Sequence, residues 1–181
     1  MIVADNEVIV IKTKNWITNV VVACNFCPFA AREIKRGSIQ YEVLHEGTTK
    51  TVLEATLKIF FLLDENEQIE TSLLILPESF ADFNDYLDLV EKAETLITTN
   101  NYEGIYQIAS FHPKYMFAGS NENDPSNYTN RSPYPMLHFL REESVTKAIA
   151  GYPDIENVPK RNIAFTKEKG LAYMQQLQKS I

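Results

Sequence analysis

The chain has 181 residues, 45% of them hydrophobic and 23% charged, with a net charge of −7 and a pI of about 5.0. That length builds one well-packed domain and would cramp two. The acidic balance argues against nucleic-acid partners, which need a basic face. No run reaches the roughly 18 apolar residues of a membrane helix, and the start, Met1 to Glu7, lacks the basic residues of a signal peptide. A cytoplasmic protein without a membrane partner is therefore expected. In that compartment the only cysteines, Cys24 and Cys27, are expected as thiols or ligands rather than as a structural disulfide.

Trp16, Ile17, Val20, Val21 and Cys24 recur at helical spacing and predict a first helix from about Lys14 to Cys24, although Val20-Val21-Val22 also suits a strand. Pro28 is placed to open a second helix at its first position, with Gly37 closing it. Residues 39–44 alternate apolar and polar and read as a strand. Val52, Leu53, Thr56, Ile59, Phe60 and Leu63 form one face of a third helix. Residues 72–76, stopped by Pro77, read as a short buried strand. Phe83, Tyr86, Leu87, Val90, Ala93 and Ile97 form the clearest helical stripe, with Asp82 as its N-cap. A third strand, 105–109, leads into a long loop. A helix from Pro135 or Met136 to Ala150 should follow, with a break at Gly151-Tyr152-Pro153 and a last helix from about Thr166 to Lys179.

Strands alternating with long helices imply an α/β fold: a single domain with a small, mostly parallel, three-stranded or slightly larger sheet packed by helices. In such sheets ligands sit beyond the carboxyl ends of the strands. Those ends carry His45-Glu46, Pro77-Glu78-Ser79 and Ser110-Phe111-His112. The long loop starts from the last of them. Its prolines fix the backbone path, so it should be ordered and should lie over the strand ends.

Cys27 is expected at the N-cap of the Pro28 helix, where free amides favour a thiolate. Arg32, one turn in, would assist it. His112, restrained by Pro113, and His138 could share acid–base work or bind a metal. The guanidinium fork of Arg131 suits a carboxylate or phosphate, with Asn130 and Tyr134 beside it. Each has a plainer alternative: a buried apolar cysteine, loop-capping histidines, an internally paired arginine. Cys24-Asn25-Phe26-Cys27 is a weak redox or zinc signal without a second pair.

The segments Cys27-Pro28-Phe29-Ala30, residues 107–117 (QIASFHPKYMF) and residues 130–142 (NRSPYPMLHFLRE) closely resemble a mainly bacterial family, domain of unknown function 1415. The resemblance spans nearly the whole chain. It implies that these three segments are family hallmarks, and it implies no activity. The expected function is a small-molecule enzyme, a hydrolase or group transferase. Its Cys27, His112 and His138 would carry catalysis, and Arg131, Asn130, Tyr134 and Arg32 would hold a small anionic ligand. The rivals are a metal protein using Cys27, His112 and His138 as mixed sulfur and nitrogen ligands, and a non-catalytic module that docks a protein partner. The sequence specifies no cofactor.

Overall fold

A computed structural model describes residues 5–151 and 155–181. The expected break at Tyr152-Pro153 and the first four residues lie outside them. Helix α1 (Asn6–Trp16) begins earlier than its apolar spacing suggests, because the Asp5 side chain accepts the Glu7 amide and caps it. It continues without interruption as a π-helix, Ile17–Val22. Together they bury one stripe, Ile9, Thr13, Trp16, Ile17, Val20 and Val21. Helix α2 (Ala30–Arg36) starts two residues after Pro28 and ends where Gly37 turns left-handed at φ 65°, a conformation open to glycine at no steric cost.

Strand β1 (Ile39–Val43), helix α3 (Thr49–Glu65), strand β2 (Thr71–Ile75) and helix α4 (Phe83–Thr99) follow the sequence expectation closely. Asp82 caps α4 by accepting from the Asn84 and Asp85 amides. Strand β3 (Tyr106–Phe111) leads into the long loop, which carries a short 3₁₀ turn, Pro125–Thr129.

The largest correction comes next. Residues expected to begin a helix form strand β4 (Met136–Arg141), and helix α5 (Glu142–Ala150) begins only after it. The sheet is therefore four-stranded and mixed, in the order β1-β2-β4-β3, rather than mostly parallel and three-stranded. Only β1 and β2 pair in parallel; β4 runs antiparallel to both its neighbours. The cause is that β4 is a central strand covered on both faces. Met136, Leu137 and Phe139 are all fully buried, so the two-residue alternation that marks a half-exposed strand is missing. Because β4 is inserted in reverse, β1, β2 and β3 still share one direction, and their carboxyl ends still share one edge.

Helices cover both faces of this sheet. On one side α3 and α4 pack on Leu74, Leu137 and Phe139 around Phe60, whose ring stacks 5.4 Å from Tyr106. On the other, α1, the π-helix and α6 (Val158–Lys179, kinked at Gly170) pack on Leu73, Ile75 and Met136. The two-residue period of the strands assigns every side chain to one of these cores.

Candidate functional site

The register puts Thr71 and Leu73 of β2, Gln107 and Ala109 of β3, and His138 and Leu140 of β4 on the α1 face of the sheet. They floor a cavity of about 320 Å³ whose surface is almost wholly apolar. Trp16, Ile17 and Val21 from α1 and the π-helix form one wall. Cys27, Phe29, Ala30, Arg32 and Glu33, around the start of α2, form another. Val145 and Ala148 of α5 border the mouth, and no residue of α5 is itself buried. The helix lies along the cavity instead of packing into a core.

His138 and Thr71 supply a linked pair of polar groups on this floor. The His138 Nε2 lies 2.6 Å from the Thr71 hydroxyl, which also lies 2.6 Å from the Phe139 carbonyl oxygen. Two oxygens that close require a shared proton, and the threonine has only one. The hydroxyl therefore donates to the carbonyl, and Nε2–H donates to the hydroxyl. The ring orientation and tautomer follow: Nδ1 carries the lone pair. That nitrogen has no hydrogen-bond partner among the described residues and is not among the sealed-off polar atoms. Burial holds the imidazole neutral by pushing its pKa down to about 4.

Cys27 borders the same cavity. Its sulfur accepts hydrogen bonds from the Phe29 and Ala30 amides, which stabilise a thiolate, but burial outweighs them and the thiol is pushed up from 9.0. No hydrogen bond joins it to His138. We expect Cys27 to react with iodoacetamide at pH 8 more slowly than an exposed thiol, with the rate still rising above pH 9. Mass spectrometry of the alkylated peptide measures this, and reaction at the rate of a free thiolate at pH 7 would show that the amides prevail. Arg32 sits at the rim, paired with the buried Glu33, which also accepts from the Ser38 hydroxyl and forms an ion pair with Arg36.

His112 stands on the opposite face. Phe111, one residue earlier, points toward His138 at 6.0 Å between ring centroids, so His112 points the other way, against Phe83 and Tyr86 of α4. Both its nitrogens are engaged: Nδ1 accepts from the Lys114 amide and Nε2 donates to the Phe80 carbonyl. Burial lowers its pKa as well.

Arg131 is 9% exposed and touches no carboxylate. Its Nε donates to the Tyr115 carbonyl at 3.1 Å and its Nη2 to the Glu122 carbonyl at 2.9 Å, while the guanidinium lies 4.5 Å from the Tyr128 ring centre. Its own carbonyl accepts from Trp16 Nε1. Asn130 is tied to Ser110 and Thr129, and Tyr134 lies under the Lys12 ammonium. Neither Arg131 nor Tyr134 lines the cavity.

A second, wider cavity of about 690 Å³ lies between the long loop and the start of α6, and Asn130 borders it. Val21, Cys27 and Phe111 border both cavities. The structure thus gathers Cys27, Arg32 and His138 around one space and leaves His112, Arg131 and Tyr134 outside it. Among the described residues, no three His, Cys, Asp or Glu side chains are grouped to hold a metal. No described helix is long and apolar enough to cross a membrane.

Sequence reasoning passed over Thr71, Trp16, Gln107 and Glu70 as site residues. Thr71 meets His138 across 67 positions of chain, and no local signal announces such a pairing. Trp16 was visible as a helix residue, and its role as a wall depended on knowing the sheet.

No curated protein and no solved structure matches the chain. The family described as "Protein of unknown function (DUF1415)" matches residues 8–176, nearly its full length, and the chain belongs to that family.

Proposed function

We propose that this protein binds a small, mainly apolar molecule in the cavity between the sheet and α1, with His138 at its floor. The observation that carries the reading is the cavity itself: about 320 Å³, almost wholly apolar walls, and uncommitted polar atoms on His138 of the floor and Glu70 beside it. That is the general form of a small-molecule site, whose volumes run from roughly 300 to 1,000 Å³. An anionic ligand finds little support. The Arg131 fork is occupied by carbonyls, and the carboxyl groups bordering the cavity, Glu33 and Glu70, would repel it. A cysteine–histidine hydrolase finds little support either: His112 packs on the opposite face of the sheet from Cys27, and no hydrogen bond joins Cys27 to His138 across the cavity. The unpaired thiols of Cys24 and Cys27 fit a reducing compartment such as the cytoplasm, and the net charge of −7 fits a protein that leaves nucleic acid alone.

Trp16 is the only tryptophan and lines the cavity, so its fluorescence reports occupancy. We expect 1-octanol or its isomer heptyl methyl ether to shift Trp16 emission saturably and to raise the melting temperature. Ala109→Phe, which fills the floor, should abolish both effects while the chain stays folded. If neither compound changes wild-type emission or melting up to its solubility limit, the cavity is not a ligand site.

A further inference from the structure

We infer that the ligand of this cavity is a neutral molecule carrying a hydrogen-bond donor, a hydroxyl or N–H group on an apolar body, and that His138 Nδ1 receives that donor. The inference rests on the cavity reading above and assigns its chemistry. The Thr71 contact fixes Nε2 as the protonated nitrogen, so Nδ1 presents a lone pair and cannot donate. A bare acceptor facing apolar walls lacks the partner that water would give it elsewhere. A ligand donor restores that bond, whereas an ether or carbonyl oxygen placed there sets two lone pairs against each other. The other polar groups of the lining do not reverse this preference. The Arg141 Nε and Nη2 donors are taken by the Leu63, Asn66 and Ile69 carbonyls at and just beyond the end of α3, its Nη1 donates to the Tyr106 hydroxyl, and Arg32 is paired with Glu33. Glu70 contributes a buried carboxyl oxygen with no partner, a further acceptor. Gln107 can offer either sense.

The test compares two isomers of one size, 1-octanol, which donates, and heptyl methyl ether, which only accepts. Titration against Trp16 fluorescence should show the alcohol binding about tenfold more tightly. The His138→Phe chain keeps the ring shape without the acceptor and should bind both within about twofold of each other. Should that variant fail to fold, ¹⁵N spectra of the wild-type protein decide. The His138 Nδ1 resonance should move upfield with the alcohol and stay put with the ether. Equal affinities in the wild-type chain, or a preference that survives in His138→Phe, overturn the assignment to His138 while leaving the cavity as a binding site. Absence of binding by either isomer overturns the cavity reading together with this one.

Discussion

Replacing Arg131 is expected to unfold the long loop rather than to weaken the binding of an anion. The guanidinium joins three separate pieces of that loop: the Tyr115 carbonyl, the Glu122 carbonyl and the Tyr128 ring. Its backbone carbonyl holds Trp16, so the loop and α1 are tied at the same residue. Arg131→Met removes both donors and leaves two carbonyl oxygens without them, each costing about 1–3 kcal/mol where water cannot enter. The lost cation–π contact adds about 1 kcal/mol. A loss of roughly 3–7 kcal/mol is therefore expected, which is a large share of the stability of an ordinary domain. Arg131→Lys should lose roughly half as much, because one ammonium can reach one carbonyl but cannot span both. Urea unfolding of the two variants checks the order. Amide exchange should quicken across residues 115–130 and hardly change in α3 and α4. A variant of near wild-type stability that had lost affinity for phosphate or a carboxylate would return Arg131 to the ligand.

Much of the architecture was legible because the relevant patterns are local. Helices α3 and α4 each show an apolar stripe, and the Thr48 and Asp82 side chains cap them by accepting from backbone amides two or three residues further on. Strand β1 showed alternation, and Pro77 ended the run that became β2. The stiff, site-like character of the loop was also legible, but its meaning was not. Its prolines and aromatics hold it together through contacts such as Asn127, whose side chain bonds Phe117, Ser120 and Asn121. From sequence alone, a side chain that serves the loop looks the same as one that serves a ligand.

Two failures had a single cause. A strand covered on both sides carries no alternating pattern, so the sequence of β4 suggests the start of a helix. With β4 missing, the faces of the sheet could not be assigned. Parity then decides the site. Phe111 and His138 lie on the cavity face, whereas His112, one step further along, lies on the other. Grouping His112 with Cys27 was reasonable from loop position and impossible from register. Cys27 and His138 were picked out for sound chemical reasons, yet what surrounds them is an apolar space instead of a cluster of charges.

Acid should destabilise this protein through His138 before most carboxylates titrate. An unfolded histidine binds its proton near pH 6.5, whereas His138 in the fold stays neutral down to about 4 because burial penalises the imidazolium. Between those values the unfolded chain holds a proton that the folded chain lacks. Stability is therefore fully present above about pH 6.5 and falls as the pH drops toward 4, and it rises with pH throughout that window. The full interval amounts to about 3 kcal/mol at most. His112, shifted in the same direction by burial, adds to the loss. Carboxylates contribute too, so the decisive comparison is a difference. His138→Gln keeps a donor where Nε2–H meets Thr71 but cannot titrate. Urea unfolding of wild type and variant at pH 7.5 and 4.5 should show a smaller loss in the variant, by up to about 3 kcal/mol. Parallel losses in the two chains would mean that His138 reaches solvent and titrates normally, and a histidine so exposed could not be the deep acceptor of an apolar ligand.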